Sequence, residues 1–243
     1  MAPTLATQMI LMSKREEDIN TEEINSSGGE NTGDIEVSSD NGEVNTGNIE
    51  SLGDSEDSGN IDVNTEGDIN TENISSIGNN NSGDISVNSQ EGSVNTNNIE
   101  TIAKAGNSGD INIVAIEDIS TGNISSIGNN NSGDISVNSQ ASSVNTNNIT
   151  TQAETGTAGD IDISARNNIN TGNITSTNPQ GSGNINLTTE VGKINTGEVF
   201  TDTGKINLNQ PNNNISSVVE NNPISITPSS TPSTTATGFD INI

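Results

Sequence analysis

At 243 residues the chain has the length of one domain, yet only 26% of it is hydrophobic and 1% aromatic, which excludes a conventional globular core. A formal net charge of −27, from 33 acidic against 6 basic residues, excludes a phosphate-backbone partner and an anionic membrane surface, since both need clustered Lys and Arg. Without Cys or His there is no thiol or imidazole chemistry, and no apolar run approaches the ~20 residues of a membrane span.

Residues 1–17 read as a lead-in. Met1 to Met12 is mildly apolar, but Lys14 and Arg15 follow that stretch instead of preceding it, so no clear signal peptide is expected.

From 18 to 208 the chain repeats. Ile74–Ile99 and Ile124–Ile149 differ at only two positions, which points to a duplicated two-coil unit. The basic unit is half of that. One aliphatic column is Ile19, Val44, Ile69, Val94, Ile119, Val144, Ile169 and Ile194, spaced by 25. A second, also spaced by 25, is Ile24, Ile49, Ile74, Ile99, Ile124, Ile149, Ile174 and Val199. A third is Ile35, Ile61, Ile85, Ile111, Ile135, Ile161 and Ile185, with spacing alternating between 26 and 24. Each extra residue is removed within the same pair of coils, as expected of loop variation on a rigid scaffold.

Each third-column residue opens a period-2 pattern, as in Ile85-Ser86-Val87 and Ile111-Asn112-Ile113, the signature of a short strand. The first two columns lie five residues apart in a recurring motif, as in Val44-Asn45-Thr46-Gly47-Asn48-Ile49. The fourth motif position is Gly47, Gly122, Gly172, Gly197, Asn97 or Asn147, residues that tolerate a left-handed backbone, so a corner is expected there and a strain cost at Glu72. Another corner is expected at the Gly-Asp or Gly-Asn pair before the third column, as at Gly83-Asp84.

Strands this short can pair only with their equivalents in the next coil, ~4.8 Å away. The predicted fold is all-β: a parallel β-helix, or β-solenoid, of about eight coils of 25 residues with three short strands per coil. Its cross-section is roughly triangular and its height roughly 35–40 Å. Low hydrophobicity with high charge is also the signature of disorder, but a disordered chain has no reason to hold Ile or Val in register eight times. The expected inward set per coil is five aliphatics, such as Ile85, Val87, Val94, Ile99 and Ile102. Asn45, Asn70, Asn95, Asn145, Asn170 and Asn195 are expected to stack as an amide ladder, broken at Ser120. The Thr column from Thr21 to Thr196 is unbroken.

Residues 209–243 read as a decaying last coil and a Pro/Ser/Thr-rich tail. Asn221 to Gly238 reads as a linker or cap, and Phe239–Ile243 as a resumed strand.

The Gly-Asp-Ile strand, the Val-Asn-Thr-Gly-Asn-Ile corner and the coil length resemble the repeats of filamentous-haemagglutinin-type exoproteins, over roughly residues 18–208. The resemblance implies a structural shaft or adhesin segment, secreted or at the cell surface; from the residues themselves, no enzymatic activity is expected. The resemblance also implies cell-surface or glycan ligands and an outer-membrane secretion partner. In that family the secretion domain carries Asn-Pro-Asn-Gly. The nearest match here is Asn178-Pro179-Gln180-Gly181, so the partner is expected to act through a domain this chain does not contain.

The candidate site is a column of carboxylates, Asp84, Asp110, Asp134 and Asp160, at equivalent corners of consecutive coils. Stacked carboxylates suit Ca²⁺. The competing reading is that each Asp caps its own turn, as Asn60 and Asn184 would, and no cofactor is then needed. The spacing of calcium-binding β-rolls is missing. A Thr and Asn face for ice binding is a further alternative, although Thr46 should point inward if Val44 does. Catalysis needs a singular cluster of acid, base and basic groups, whereas the acids here repeat with the scaffold and Arg166 has no singular setting.

Overall fold

The alternation at each third-column isoleucine becomes a five-residue strand whose first, third and fifth side chains point inward, as in Ile85–Ser89 and Ile135–Ser139. The second sheet of each coil is shorter, for instance Val94–Asn95, and the third is again mostly five residues, for instance Ile99–Ala103. These elements belong to a computed structural model that describes residues 10–14, 17–28, 31–211, 218–219 and 224–228.

The chain folds as the predicted parallel β-solenoid. Among the described residues the first sheet has ten strands, from Ile10–Lys14 to Ile224–Pro228. The second has eight, from Ile19–Thr21 to Ile194–Asn195, and the third nine, from Ile24–Gly28 to Val218–Val219. Every pairing is parallel and joins equivalent residues. Ile85 pairs with Ile61 and Ile111, Val94 with Ile69 and Ile119, and Ile99 with Ile74 and Ile124. The alternating 26- and 24-residue spacing is absorbed in the corners. Where the repeat shortens, Ile206 still pairs with Ile185. Within the lead-in, Ile10–Lys14 pairs with Ile35–Ser39. Beyond 208, Ile224–Pro228 pairs with Ile206–Gln210, while the rest of the proposed linker and Phe239–Ile243 lie outside the described residues.

The core is a single tube of stacked aliphatics running from Ile19 to Leu208. Four of the five aliphatics expected inside each coil are there: Ile85, Val87, Val94 and Ile99 are fully buried. The fifth is not. Ile102 faces outward, and Thr101 and Ala103 take the inward positions on that strand. The reason is parity. Ile99 points in, so residues two and four further on share its face, and residue 102 cannot.

The inward partner of Ile99 is therefore a hydroxyl. Ser26, Ser51, Ser76, Thr101, Ser126, Thr151, Ser176 and Thr201 form an unbroken buried column at a spacing of 25. Each fixes the corner leading into the first sheet. Ser126 Oγ donates to the Gly109 carbonyl at 3.1 Å and accepts from the Gly133 amide at 2.9 Å, and it meets Ser108 Oγ at 2.7 Å. Ser76 and Ser176 repeat the arrangement one module away in each direction. We expect Ser126→Ala to lower stability by about 1–3 kcal/mol, because it strips a buried corner of its partner. Urea unfolding of the variant, followed by circular dichroism, measures this; an unchanged midpoint would deny the hydroxyl column its structural role.

Those corners need glycine for lack of room. A Cβ on Gly133 would sit 2.2 Å from the carbonyl oxygen of Gly109, and the same crowding recurs at Gly59, Gly83, Gly109, Gly159 and Gly183. The left-handed backbone expected at the other corner is absent: Gly47, Gly122, Gly172 and Gly197 all lie outside that region. The strain foreseen at Glu72 rested on that conformation and goes with it. Thr46, Thr96, Thr121 and Thr146 at this corner are buried, and each hydroxyl donates to the carbonyl of the next residue.

Among the described residues, the last strand of the second sheet is met by a side chain. From Ile19 to Ile169, each inward residue of this sheet donates its amide to a carbonyl of the next coil, as Ile169 does to Lys193. At the last strand the Ile194 amide donates instead to Oε1 of the buried Gln210, at 3.0 Å. A side-chain carbonyl here takes the place that a backbone carbonyl of the next coil holds for the earlier strands.

Candidate functional site

The acidic column sits where Gly-Asp turns into the first sheet. The glycine holds the turn close to the coil before it, and the following isoleucine anchors the strand in the core. Between them the Asp backbone amide needs an acceptor, since the strand ladder starts one residue later. The acceptor comes from the neighbouring coil. Asp110 donates its amide to Oδ1 of Asp84 at 2.8 Å, Asp134 to Asp110 at 2.8 Å, and Asp160 to Asp134 at 2.7 Å. Asn60 and Asn184 join the same chain, accepting from Asp84 and from Lys205. Each Asp therefore caps the turn of the next coil, not its own. A parallel stack makes this the available geometry, because equivalent corners lie one strand spacing apart.

The same device recurs at other corners, including the one before the second sheet, where Asp18, Asp68, Asp118 and Asn168 accept the amides of Glu43, Ser93, Ser143 and Lys193. Oδ1 of Asn48, Asn73, Asn98, Asn123, Asn148 and Asn173 each accepts the amide of the equivalent residue in the next coil, ending on Glu198. Asn31, Asp57, Asn81, Asn107 and Asn131 form another such series. The amide ladder foreseen along the second sheet runs through Asn20, Asn45 and Asn70 and again through Asn145, Asn170 and Asn195; the gap between the two runs takes in Asn95, which was expected in the ladder, as well as Ser120. Asn178 of the Asn178-Pro179-Gln180-Gly181 segment is buried, donates to the Ala153 carbonyl and accepts the amides of Gln180 and Gly181, so it serves as a corner turn.

One oxygen of each stacked Asp is thus committed to backbone. Among the described residues no three or more Asp or Glu side chains converge as a group that could hold a metal ion. The electrostatic cost remains. Burial raises the Asp134 carboxyl above its ordinary range; the Asp160 amide it accepts works against this, and the neighbouring Asp110, Asp160 and Asp162 add to the rise.

A second acidic feature had no motif to mark it. A groove of about 580 Å³ runs outside the third sheet, lined by Glu50, Ser75, Glu100 and Ser125 on one side and by the Asn73 and Asn98 corner on the other. Burial raises the Glu100 carboxyl, and Glu50, two coils away on the same face, raises it further.

Both shifts have the same sign. A carboxyl whose folded-state pKa is raised stabilises the fold most below its ordinary range, and that stability is lost as pH rises through the folded value. The melting temperature is therefore expected to rise as pH is lowered from neutrality through the raised folded values toward the ordinary carboxyl range, and added salt at neutral pH should raise it too. Differential scanning calorimetry across pH checks this; a melting temperature that falls steadily from neutrality to the ordinary carboxyl range would contradict it.

No protein-family model, curated protein or solved structure matches this chain.

Proposed function

We propose that the chain is a segment of the structural shaft of a secreted or cell-surface exoprotein of the filamentous-haemagglutinin type. The observation that carries this reading is the uniformity of the stack. Three parallel sheets run in register along the described coils, and hydrogen bonds between corners tie each coil to its neighbour. An architecture of this kind adds length coil by coil without changing its cross-section. Dense negative charge over the outside favours solubility and discourages lateral clumping. The inward Thr hydroxyls, spent on carbonyls, leave little for a Thr-based ice face.

The test is one of location. Antibodies raised against the purified chain are applied to intact, unpermeabilised cells of its source. Surface labelling that external protease removes supports the shaft; labelling that appears only after permeabilisation overturns it.

A further inference from the structure

The outward positions of the solenoid do not contribute to the core, so they are free to be polar, and on the first sheet nearly all of them are. The third sheet departs from this at the isolated Phe200 and in one continuous run. Leu52, Ile77, Ile102 and Ile127 stack in register on four consecutive strands, all facing outward and only partly buried. The column is polar on both sides of this run, with Ser27 before it and Gln152 and Thr177 after it. Parity forbids these four side chains from helping the core. A local aliphatic ridge on so polar a molecule marks a contact surface.

The surroundings of the ridge say what could cover it. Glu50 and Glu100 stand two residues before Leu52 and Ile102 on the same outer face, edging the ridge on the side where the groove separates them from the Asn73 and Asn98 corner. Lys104 lies beyond the strand end, at the corner. An aliphatic strip edged by carboxylates complements a segment that is apolar on one stripe and cationic beside it. A second copy of this chain would bring like charge against like, at −27 each. An anionic lipid surface is disfavoured in the same way.

We propose that the outer face of the third sheet, from Glu50 to Ile127, docks a basic amphipathic helix of a partner protein laid along the solenoid axis. The dimensions agree. Strands repeat every ~4.8 Å, against ~5.4 Å for a helical turn, so aliphatic side chains from successive turns meet successive ridge residues. Two coils separate Glu50 from Glu100 by ~9.6 Å, close to the ~10.5 Å between cations seven residues apart on a helix. This inference stands apart from the shaft reading and does not need it.

The probe is a synthetic Leu/Lys amphipathic helix, labelled and titrated with the full chain by fluorescence anisotropy, beside a Leu/Glu helix of the same pattern. The Leu/Lys helix should bind and the Leu/Glu helix should not. Ile77→Ser with Ile102→Ser should weaken binding at least tenfold without changing the net charge. Glu50→Gln with Glu100→Gln, which spares the ridge, should also weaken it at least tenfold and serves if the serine variant fails to fold. Equal affinity in the variants would mean attraction to overall charge alone and would overturn the proposal. So would light scattering that shows a dimer of the unmodified chain which the serine variant loses, since the occupant would then be a second copy.

Discussion

Gly133→Ala is expected to destabilise the solenoid by about 3 kcal/mol or more, although it adds a single methyl group. The Cβ would sit 2.2 Å from the Gly109 carbonyl oxygen and 2.4 Å from its carbon, both backbone atoms pinned by strand pairing on either side. Relief would require two coils to move apart, and that would stretch the ladders of all three sheets. Gly181→Ala is the matched control. Its added Cβ would meet only the Thr157 methyl, at 3.5 Å, an ordinary contact. That variant should stay within about 0.5 kcal/mol of the parent chain. Urea unfolding of both by circular dichroism separates crowding from a general intolerance of alanine. Similar losses in the two variants would remove crowding as the reason for glycine in this column.

The architecture was legible because a solenoid writes its fold as a period. Ile19, Val44 and Ile69 recur every 25 residues for the plain reason that each stacks on the last. The inside of the third sheet was harder to read. Ile102 looked like core, yet counting by twos from Ile99 puts it outside, and the same count from Ile74 and Ile124 puts Ile77 and Ile127 there too. The signal that could have corrected this was present in the Ser/Thr column from Ser26 to Thr201, which keeps its identity in every coil while the outward column drifts to Gln152 and Thr177. A polar column this constant reads as hydrogen bonding in a tight place. The Asp column was legible as a set of equivalent corners, but not in its bonding direction. A single coil offers each Asp its own turn to cap, and only the stack reveals that the nearer amide belongs to the next coil. The Glu50–Glu100 groove had no motif, because its residues lie two coils apart and come together only through the rise of the helix.

Ile113→Ala and Ile102→Ala together should display which way the sheets face. Ile113 is wholly buried between Val87 and Val137 in the stack, and its truncation leaves a cavity that the paired strands cannot close. The expected loss is about 2–5 kcal/mol. Ile102 removes the same atoms from the outer face, where solvent already reaches the side chain, and the loss should stay under about 1 kcal/mol. The contrast also reports on cooperativity. Each coil touches only its neighbours, so a weakened central coil can uncouple the two halves of the array. Ile113→Ala is therefore expected to broaden the urea transition as well as shift it, while Ile102→Ala should leave its slope unchanged. Comparable losses at the two positions would place Ile102 in the core and would remove the ridge on which the docking surface depends.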